Sequence, residues 1–134
     1  MTSSVDGNAV PIEASRAATQ IVDAAYRVHT SLGPGLMESV YEACMEHELT
    51  KRELKVKRQV SQAVVYDGIN IDAGLRIDLL VNDCVIVELK AVENLLPVHK
   101  AQLITYLKLT GLRLGLLINF NVPVIKDGIK RIAL

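Results

Sequence analysis

The chain has 134 residues, of which 50% are hydrophobic and 22% are charged. This length and composition suit one folded domain with its own core, and they exclude an intrinsically disordered chain. Basic and acidic side chains number 15 each, so the formal net charge is zero. Because nucleic-acid-binding proteins usually carry a basic surface, this balance argues against tight, non-specific binding of nucleic acid by this chain alone.

The N-terminal residues show no sign of export. Residues 1–11 are polar and lack the charged-then-apolar order of a secretory leader. The longest apolar runs, such as residues 114–118, are too short to cross a bilayer. Cys44 and Cys84 form neither a disulfide framework nor a zinc signature, so we expect reduced, structural thiols. We therefore expect a cytoplasmic protein without a membrane segment, with residues 1–11 as a flexible lead-in and residues 12–134 as a single domain.

Two helices are predicted in the first third of the chain. In residues 13–32 the apolar side chains recur at steps of three and four, which indicates an amphipathic helix. Gly33-Pro34-Gly35 ends this helix, because proline cannot continue a helix and glycine permits unusual backbone angles. Residues 37–52 show a second, looser helical spacing.

The rest of the chain reads as strands interrupted by one helix. That helix is expected to begin at Pro97, which is tolerated at a first helical position, and to stop at Gly111. A final hairpin-like piece in residues 124–134 is expected to turn at Asp127-Gly128. The other strands are expected in short pieces of residues 56–65 and in residues 69–81, 85–89 and 112–119.

The most informative stretch contains three charged residues, Asp78, Glu88 and Lys90, among apolar strand residues. Glu88 and Lys90 are two apart, so on a strand they project from the same face. Asp78 joins them only if the turn after Val81 has three residues and Val81 pairs with Val85. A two-residue turn would place Asp78 on the opposite face, because side chains alternate with a period of two. We predict the three-residue turn.

Charges in a central strand cost desolvation energy and require a partner. A divalent cation held by Asp78 and Glu88 is one such partner, with Lys90 beside it. Mg²⁺ and Mn²⁺ prefer oxygen ligands, and such an ion polarises a phosphate during phosphodiester hydrolysis. Lys90 would then orient water or stabilise developing negative charge. A buried ion pair of Lys90 with Glu88 or Asp78, without any metal, is the alternative, and the spacing alone leaves both open.

The spacing of Asp78 from Glu88-Leu89-Lys90 resembles the D…ExK core of the PD-(D/E)XK nuclease-like superfamily. Within that superfamily the chain resembles the GxxExxY family. The usual proline before the first aspartate is replaced by Ile77. The segments that carry the closer resemblance are Gly35-Leu36-Met37-Glu38-Ser39-Val40-Tyr41, Val28-His29, Leu32-Gly33-Pro34-Gly35, Pro97-Val98-His99, Gln102 with Tyr106, and Leu117-Ile118-Asn119-Phe120.

The resemblance implies an α/β restriction-endonuclease-like core, a mixed central β-sheet flanked by α-helices. It also implies roles for residues outside the strands. Glu38 would complete the metal site, although a carboxylate at a helix start is also favoured by the helix dipole. Gln102 and Tyr106 share a helix face and resemble a QxxxY motif that positions DNA or the site. His99 and Arg76 are weaker candidates for substrate contacts.

These observations lead to two functional hypotheses. The first is a nuclease dependent on Mg²⁺ or Mn²⁺ that acts on nucleic acid, with DNA as the expected substrate. Its metal ligands would be Asp78, Glu88 and Glu38, and its catalytic cation would be Lys90. The second is a catalytically inactive module that binds nucleic acid or protein, and a homo-oligomer that builds a shared groove is a further possibility. Phosphate contacts, if any, would come from two basic clusters: Lys51, Arg52, Lys55, Lys57 and Arg58, and Lys126, Lys130 and Arg131.

Overall fold

A computed structural model describes residues 9–134 of the chain. Its elements follow one another as α1 (Ile12–Leu32), α2 (Glu38–Lys51), β1 (Val56–Tyr66), β2 (Ile69–Val81), β3 (Val85–Lys90), α3 (Pro97–Thr110), β4 (Leu114–Asn119), a 3₁₀ helix (Ile125–Gly128) and β5 (Ile129–Ala133). In the described part of the chain, no helix is long and apolar enough to cross a membrane. Most of the proposed lead-in, residues 1–8, lies outside the described residues.

One five-stranded sheet, in the order β1-β2-β3-β4-β5, organises the molecule. Strands β1, β2 and β3 form an antiparallel meander, β3 and β4 run parallel, and β5 returns antiparallel to β4. The parallel step needs a crossover, and α3 supplies it. The prediction of an α/β fold with a mixed sheet flanked by helices is therefore confirmed.

The helices cover both faces of the sheet. Helices α1 and α2 pack with the odd-numbered residues of β3 in the larger of two hydrophobic clusters. Helix α3 packs on the opposite face, where Leu103 and Leu107 contact the cluster that contains Ile86 and Leu117. Every residue of β4 is buried, as expected for a strand covered on both faces.

Local sequence signals set the helix ends. Pro97 is the first residue of α3, where its missing N–H group needs no partner. Gly111 ends that helix in the left-handed conformation, at φ 77°, and its N–H donates to the Leu107 carbonyl. Helix α1 ends when the Gly33 N–H donates to the His29 carbonyl. All three helices therefore begin and end within one residue of their predicted bounds.

Two predictions for the strands are wrong. Residues 56–66 form one continuous strand of 11 residues rather than short pieces, because each of its ends pairs with the long β2. The C-terminal piece is not a hairpin. Residues 125–128 form a 3₁₀ helix, and the only strand that follows, β5, pairs with β4 rather than with its own neighbour.

Candidate active site

The turn between β2 and β3 fixes the relation of Asp78 to Glu88. Val81 pairs with Val85, Leu80 with Ile86 and Leu79 with Val87. These pairs leave three residues in the turn, so the predicted register is confirmed. The next pair along the same register is Asp78 opposite Glu88.

At this step each carboxylate bonds to the backbone of the opposite strand. Glu88 Oε2 accepts a hydrogen bond from the Asp78 backbone N–H (3.0 Å), and Asp78 Oδ2 accepts one from the Leu89 backbone N–H (2.9 Å). The regular β2–β3 ladder ends at Leu79 and Val87. Both side chains are therefore held between the strands, each by the backbone of the other strand.

Burial makes this carboxylate pair unfavourable without a cation. Glu88 is only 3% exposed, and burial, assisted by the negative charge of Asp78, raises its pKa to about 8. Burial also raises the pKa of Asp78, against the effect of the Leu89 N–H, and the charge of Glu42 raises it further. Two desolvated carboxylates that resist ionisation side by side form the kind of site in which a positive ion is stabilised.

Lys90 lies at the end of β3 and is partly buried. Its positive charge opposes the rise in the pKa of both Glu88 and Asp78. Yet among residues 9–134 no nitrogen–oxygen distance of 4.0 Å or less joins Lys90 to a carboxylate. The ion pair considered as the alternative to a metal site is therefore not formed as a direct contact, and the ammonium group remains available.

Glu38 is the first residue of α2 and is exposed, and it lies near enough to Asp78 and Lys90 for their charges to act on its carboxylate. Desolvation raises its pKa, the charge of Asp78 raises it further, and the charge of Lys90 lowers it. The turn before Glu38 is anchored by Tyr41, whose hydroxyl donates to the Gly33 carbonyl (2.6 Å) and accepts from the Leu36 N–H (3.1 Å). Tyr41 is fully buried and stacks on Phe120. The core thus fixes the position from which Glu38 projects.

The other predicted residues are not joined to the carboxylates by any hydrogen bond or ion pair within the described ranges. Gln102 Nε2 donates to the Tyr106 hydroxyl (3.4 Å), so these two side chains meet on α3 as expected. His99 Nδ1 accepts from the Leu96 N–H (3.0 Å) at the start of α3, which is a structural role. Arg76 is exposed on β2. Their roles in substrate binding stay predictions.

The larger basic cluster is neutralised by neighbouring acids. Lys55 and Lys57 both contact Asp83, at 2.8 and 3.0 Å. Arg52 bonds to Asp23 and Glu48, and Lys51 also reaches Glu48. These charges support the fold and are poor candidates for phosphate contacts. The second cluster, Lys126, Lys130 and Arg131, forms no ion pair that the described residues show.

Two site residues were missed by the sequence reasoning. Glu42 lies one helical turn after Glu38 and is 8% exposed, and Gln59 lies on β1 opposite Asp78 in the strand register. Gln59 Nε2 donates to Glu42 Oε1 (2.5 Å) and reaches Asp78 Oδ1 (3.5 Å). The four-residue spacing of Glu38 and Glu42 could have predicted that Glu42 lies on the same face of α2 as Glu38. No signal pointed to Gln59, because the register of β1 was not predicted.

A hard divalent cation fits this set of donors. Glu88 Oε1 has no hydrogen-bond partner among the described residues, and both acids offer oxygen, which Mg²⁺ prefers. Within residues 9–134 no three acidic, histidine or cysteine side chains are arranged to hold a metal ion by themselves. The predicted ligand set of Asp78, Glu88 and Glu38 therefore stays a prediction; Mg²⁺ is usually held by one or two carboxylates together with waters and substrate phosphates.

Comparison with known proteins gives one clear result. A family profile described as the PD-(D/E)XK nuclease superfamily matches residues 15–132, which is most of the chain. No curated protein and no solved structure matches the chain significantly. The matched range includes Glu38, Asp78, Glu88 and Lys90, and the five-stranded mixed sheet agrees with it. The chain belongs to the PD-(D/E)XK nuclease superfamily.

Proposed function

We propose that this protein is a metal-dependent nuclease that hydrolyses phosphodiester bonds in nucleic acid, and that within its superfamily it is a GxxExxY protein. The observation that carries the proposal is the reciprocal arrangement of Asp78 and Glu88 between β2 and β3. Membership of a nuclease superfamily supports a nucleic-acid substrate. We further propose DNA as that substrate and Mg²⁺ or Mn²⁺ as the ion.

The protein's own groups have separable tasks in this scheme. Asp78 and Glu88 would hold the ion, and their bonds to the Leu89 and Asp78 N–H groups fix the direction of each carboxylate before the ion arrives. When bound, the ion neutralises phosphate charge and makes water more acidic. Glu38 adds negative charge on the α2 side of the site.

Lys90 is the residue we assign to the reacting phosphate. No carboxylate engages its ammonium group directly within the described part of the chain, so its charge is free to stabilise the negative charge that develops on the phosphate or to orient the attacking water. Gln102 and Tyr106 are proposed to position the substrate from α3, with Arg76 and His99 as lesser contacts.

Metal binding is tested first, by calorimetric titration of Mg²⁺ and Mn²⁺ into the wild type, Asp78→Asn and Glu88→Gln. Glu53→Gln is the matched control, because Glu53 is exposed and lies in the turn after α2. We expect binding in the wild type and the control and none in the two site variants. Equal heats in all four proteins would contradict the metal site.

Cleavage is tested next, with labelled single-stranded DNA, double-stranded DNA and RNA. Lys90→Met is expected to retain metal binding and to lose at least about a hundredfold in cleavage rate, since it removes charge stabilisation in the transition state. Lys108→Met, an exposed lysine of α3, is the control. Binding of nucleic acid without turnover in the metal-loaded wild type would instead favour an inactive binding module that retains the nuclease fold.

A further inference from the structure

Gln59 has an unusual backbone for a residue inside a strand. Its φ is 51°, in the left-handed region that non-glycine residues rarely occupy. Its neighbours are regular, since Arg58 pairs with Leu79 and Val60 pairs with Ile77, but the Gln59–Asp78 pair between them is missing from the ladder. The pairing of β1 with β2 is irregular at two places. One is the Gln59–Asp78 step, and the other is a shift of register between Gln62 and Val64, near Ala73 at φ 53° on β2. Only the first of these contains Asp78.

Both strands change face at this same step. Val56 packs against the larger hydrophobic cluster, whereas Val60, four residues later, packs against the smaller one. On β2, Leu79 belongs to the larger cluster and Ile77 to the smaller one. Residues an even number apart in a regular strand share a face, so the alternation is interrupted at the Gln59–Asp78 step.

The unusual backbone places an amide between two carboxylates. Gln59 Nε2 donates to Glu42 Oε1 (2.5 Å) and lies 3.5 Å from Asp78 Oδ1. Glu42 is itself buried, and Arg58 contacts its other oxygen, Oε2 (3.4 Å). A primary amide has two N–H donors and no charge, so it can serve both acids without competing with a bound cation.

We propose that Gln59 is a positioning residue for Asp78. Its amide reaches Asp78 Oδ1 at 3.5 Å while the Leu89 N–H holds Oδ2 at 2.9 Å, and it stands between Asp78 and the negative charge of Glu42. The left-handed backbone is retained because it aims the amide at both acids, which is a case of local strain kept at a functional site. This inference rests on the proposed metal-dependent function and adds a residue to its site.

Two substitutions separate the amide from the backbone. Gln59→Met keeps the length of the side chain and the unfavourable φ but removes the N–H donors. Gln59→Gly also removes the donors, yet glycine adopts a positive φ without strain. If Gln59 acts through its amide, both variants weaken Mn²⁺ binding alike, by about tenfold or more, although the thermal midpoint of Gln59→Gly stays at or above that of Gln59→Met.

The experiment measures Mn²⁺ affinity by calorimetry, the thermal midpoint without metal, and kcat and KM separately on a DNA substrate. Gln62→Met, on the same strand, is the control and is expected to bind Mn²⁺ as the wild type does. We expect kcat to fall more than KM changes in both Gln59 variants. If Mn²⁺ affinity instead follows stability, so that Gln59→Gly binds normally, Gln59 is merely structural and the proposal is overturned. Failure of the wild type to bind Mn²⁺ would overturn the metal site itself, and this inference with it.

Discussion

Replacing Glu88 by glutamine is expected to stabilise the metal-free protein above neutral pH. Burial raises the pKa of Glu88 from an ordinary 4.5 to about 8. Between these two pH values the folded protein keeps a proton that the unfolded chain has released. The free energy of unfolding therefore falls as pH rises through this window, because a group with a raised pKa opposes folding once it ionises. Glutamine cannot ionise, so the free energy of unfolding of Glu88→Gln does not fall through this pH window.

The size of the effect follows from the displacement of the pKa. Each pKa unit corresponds to about 1.4 kcal/mol, so a rise from 4.5 to about 8 amounts to at most about 5 kcal/mol above pH 8. The glutamine Oε1 retains the acceptor for the Asp78 N–H, so the substitution leaves that bond in place. We expect the wild type and Glu88→Gln to be similarly stable near pH 5 and to diverge progressively towards pH 9.

The measurement is urea unfolding followed by circular dichroism from pH 5 to pH 9, at constant ionic strength and with a chelator present. Glu53→Gln serves as the control and should follow the wild type. If the proposed site binds the ion, saturating Mg²⁺ at pH 8, without the chelator, should stabilise the wild type but not Glu88→Gln. Parallel stability curves for the wild type and Glu88→Gln would refute the reasoning, since Glu88 would then ionise as easily in the folded protein as in the unfolded chain.

Two further predictions concern the support of the site, and both are measured by urea unfolding. Asn119 is 2% exposed, and its side-chain amide bonds to both the N–H and the carbonyl of Val92. Asn119→Ala leaves these two groups unpaired, so we expect it to lower the free energy of unfolding by roughly 2–4 kcal/mol. A decrease below about 0.5 kcal/mol would contradict this account. A methyl group on Gly128 would meet the Asn119 backbone, which cannot yield, whereas one on Gly115 would meet the mobile tip of Leu103. Gly128→Ala should therefore cost about 3 kcal/mol and Gly115→Ala about 1 kcal/mol, and the reverse order would show that the backbone near Asn119 adjusts easily.

Most of the architecture could be predicted because its signals are local. Proline at the start of α3, glycine after its end and the spacing of apolar residues in α1 act within a few residues of the boundary they set. The register of β2 on β3 was also predictable, since only one of two turn lengths keeps the charged residues together. The path of residues 124–134 could not be predicted, because a turn signal at Asp127-Gly128 does not determine which strand the following residues pair with.

The residues of the candidate site likewise fall into those that local sequence signals predict and those that they do not. Glu88 and Lys90 lie on one strand and Asp78 lies across one short turn, so their spacing was informative. Glu38 required resemblance to a known family, because nothing local distinguishes it from a helix-terminal acid. The place of Gln59 in the site depends on its contact with Asp78, 19 residues away in the chain, and on a left-handed backbone at Gln59. No residue type in the sequence signals either feature.

Several costs coincide at one row of the sheet, and this coincidence is the strongest argument that the row has a function. The Gln59–Asp78 pair is missing from one ladder, and the adjoining ladder ends before Asp78 and Glu88. In the same row, Gln59 adopts a positive φ and burial raises the pKa of both carboxylates. Selection for stability alone would replace these residues by apolar ones with regular pairing, because buried charges seldom stabilise a fold. Four costs in one row, beside a lysine that no carboxylate of residues 9–134 contacts directly, support the proposal that the row is kept for chemistry.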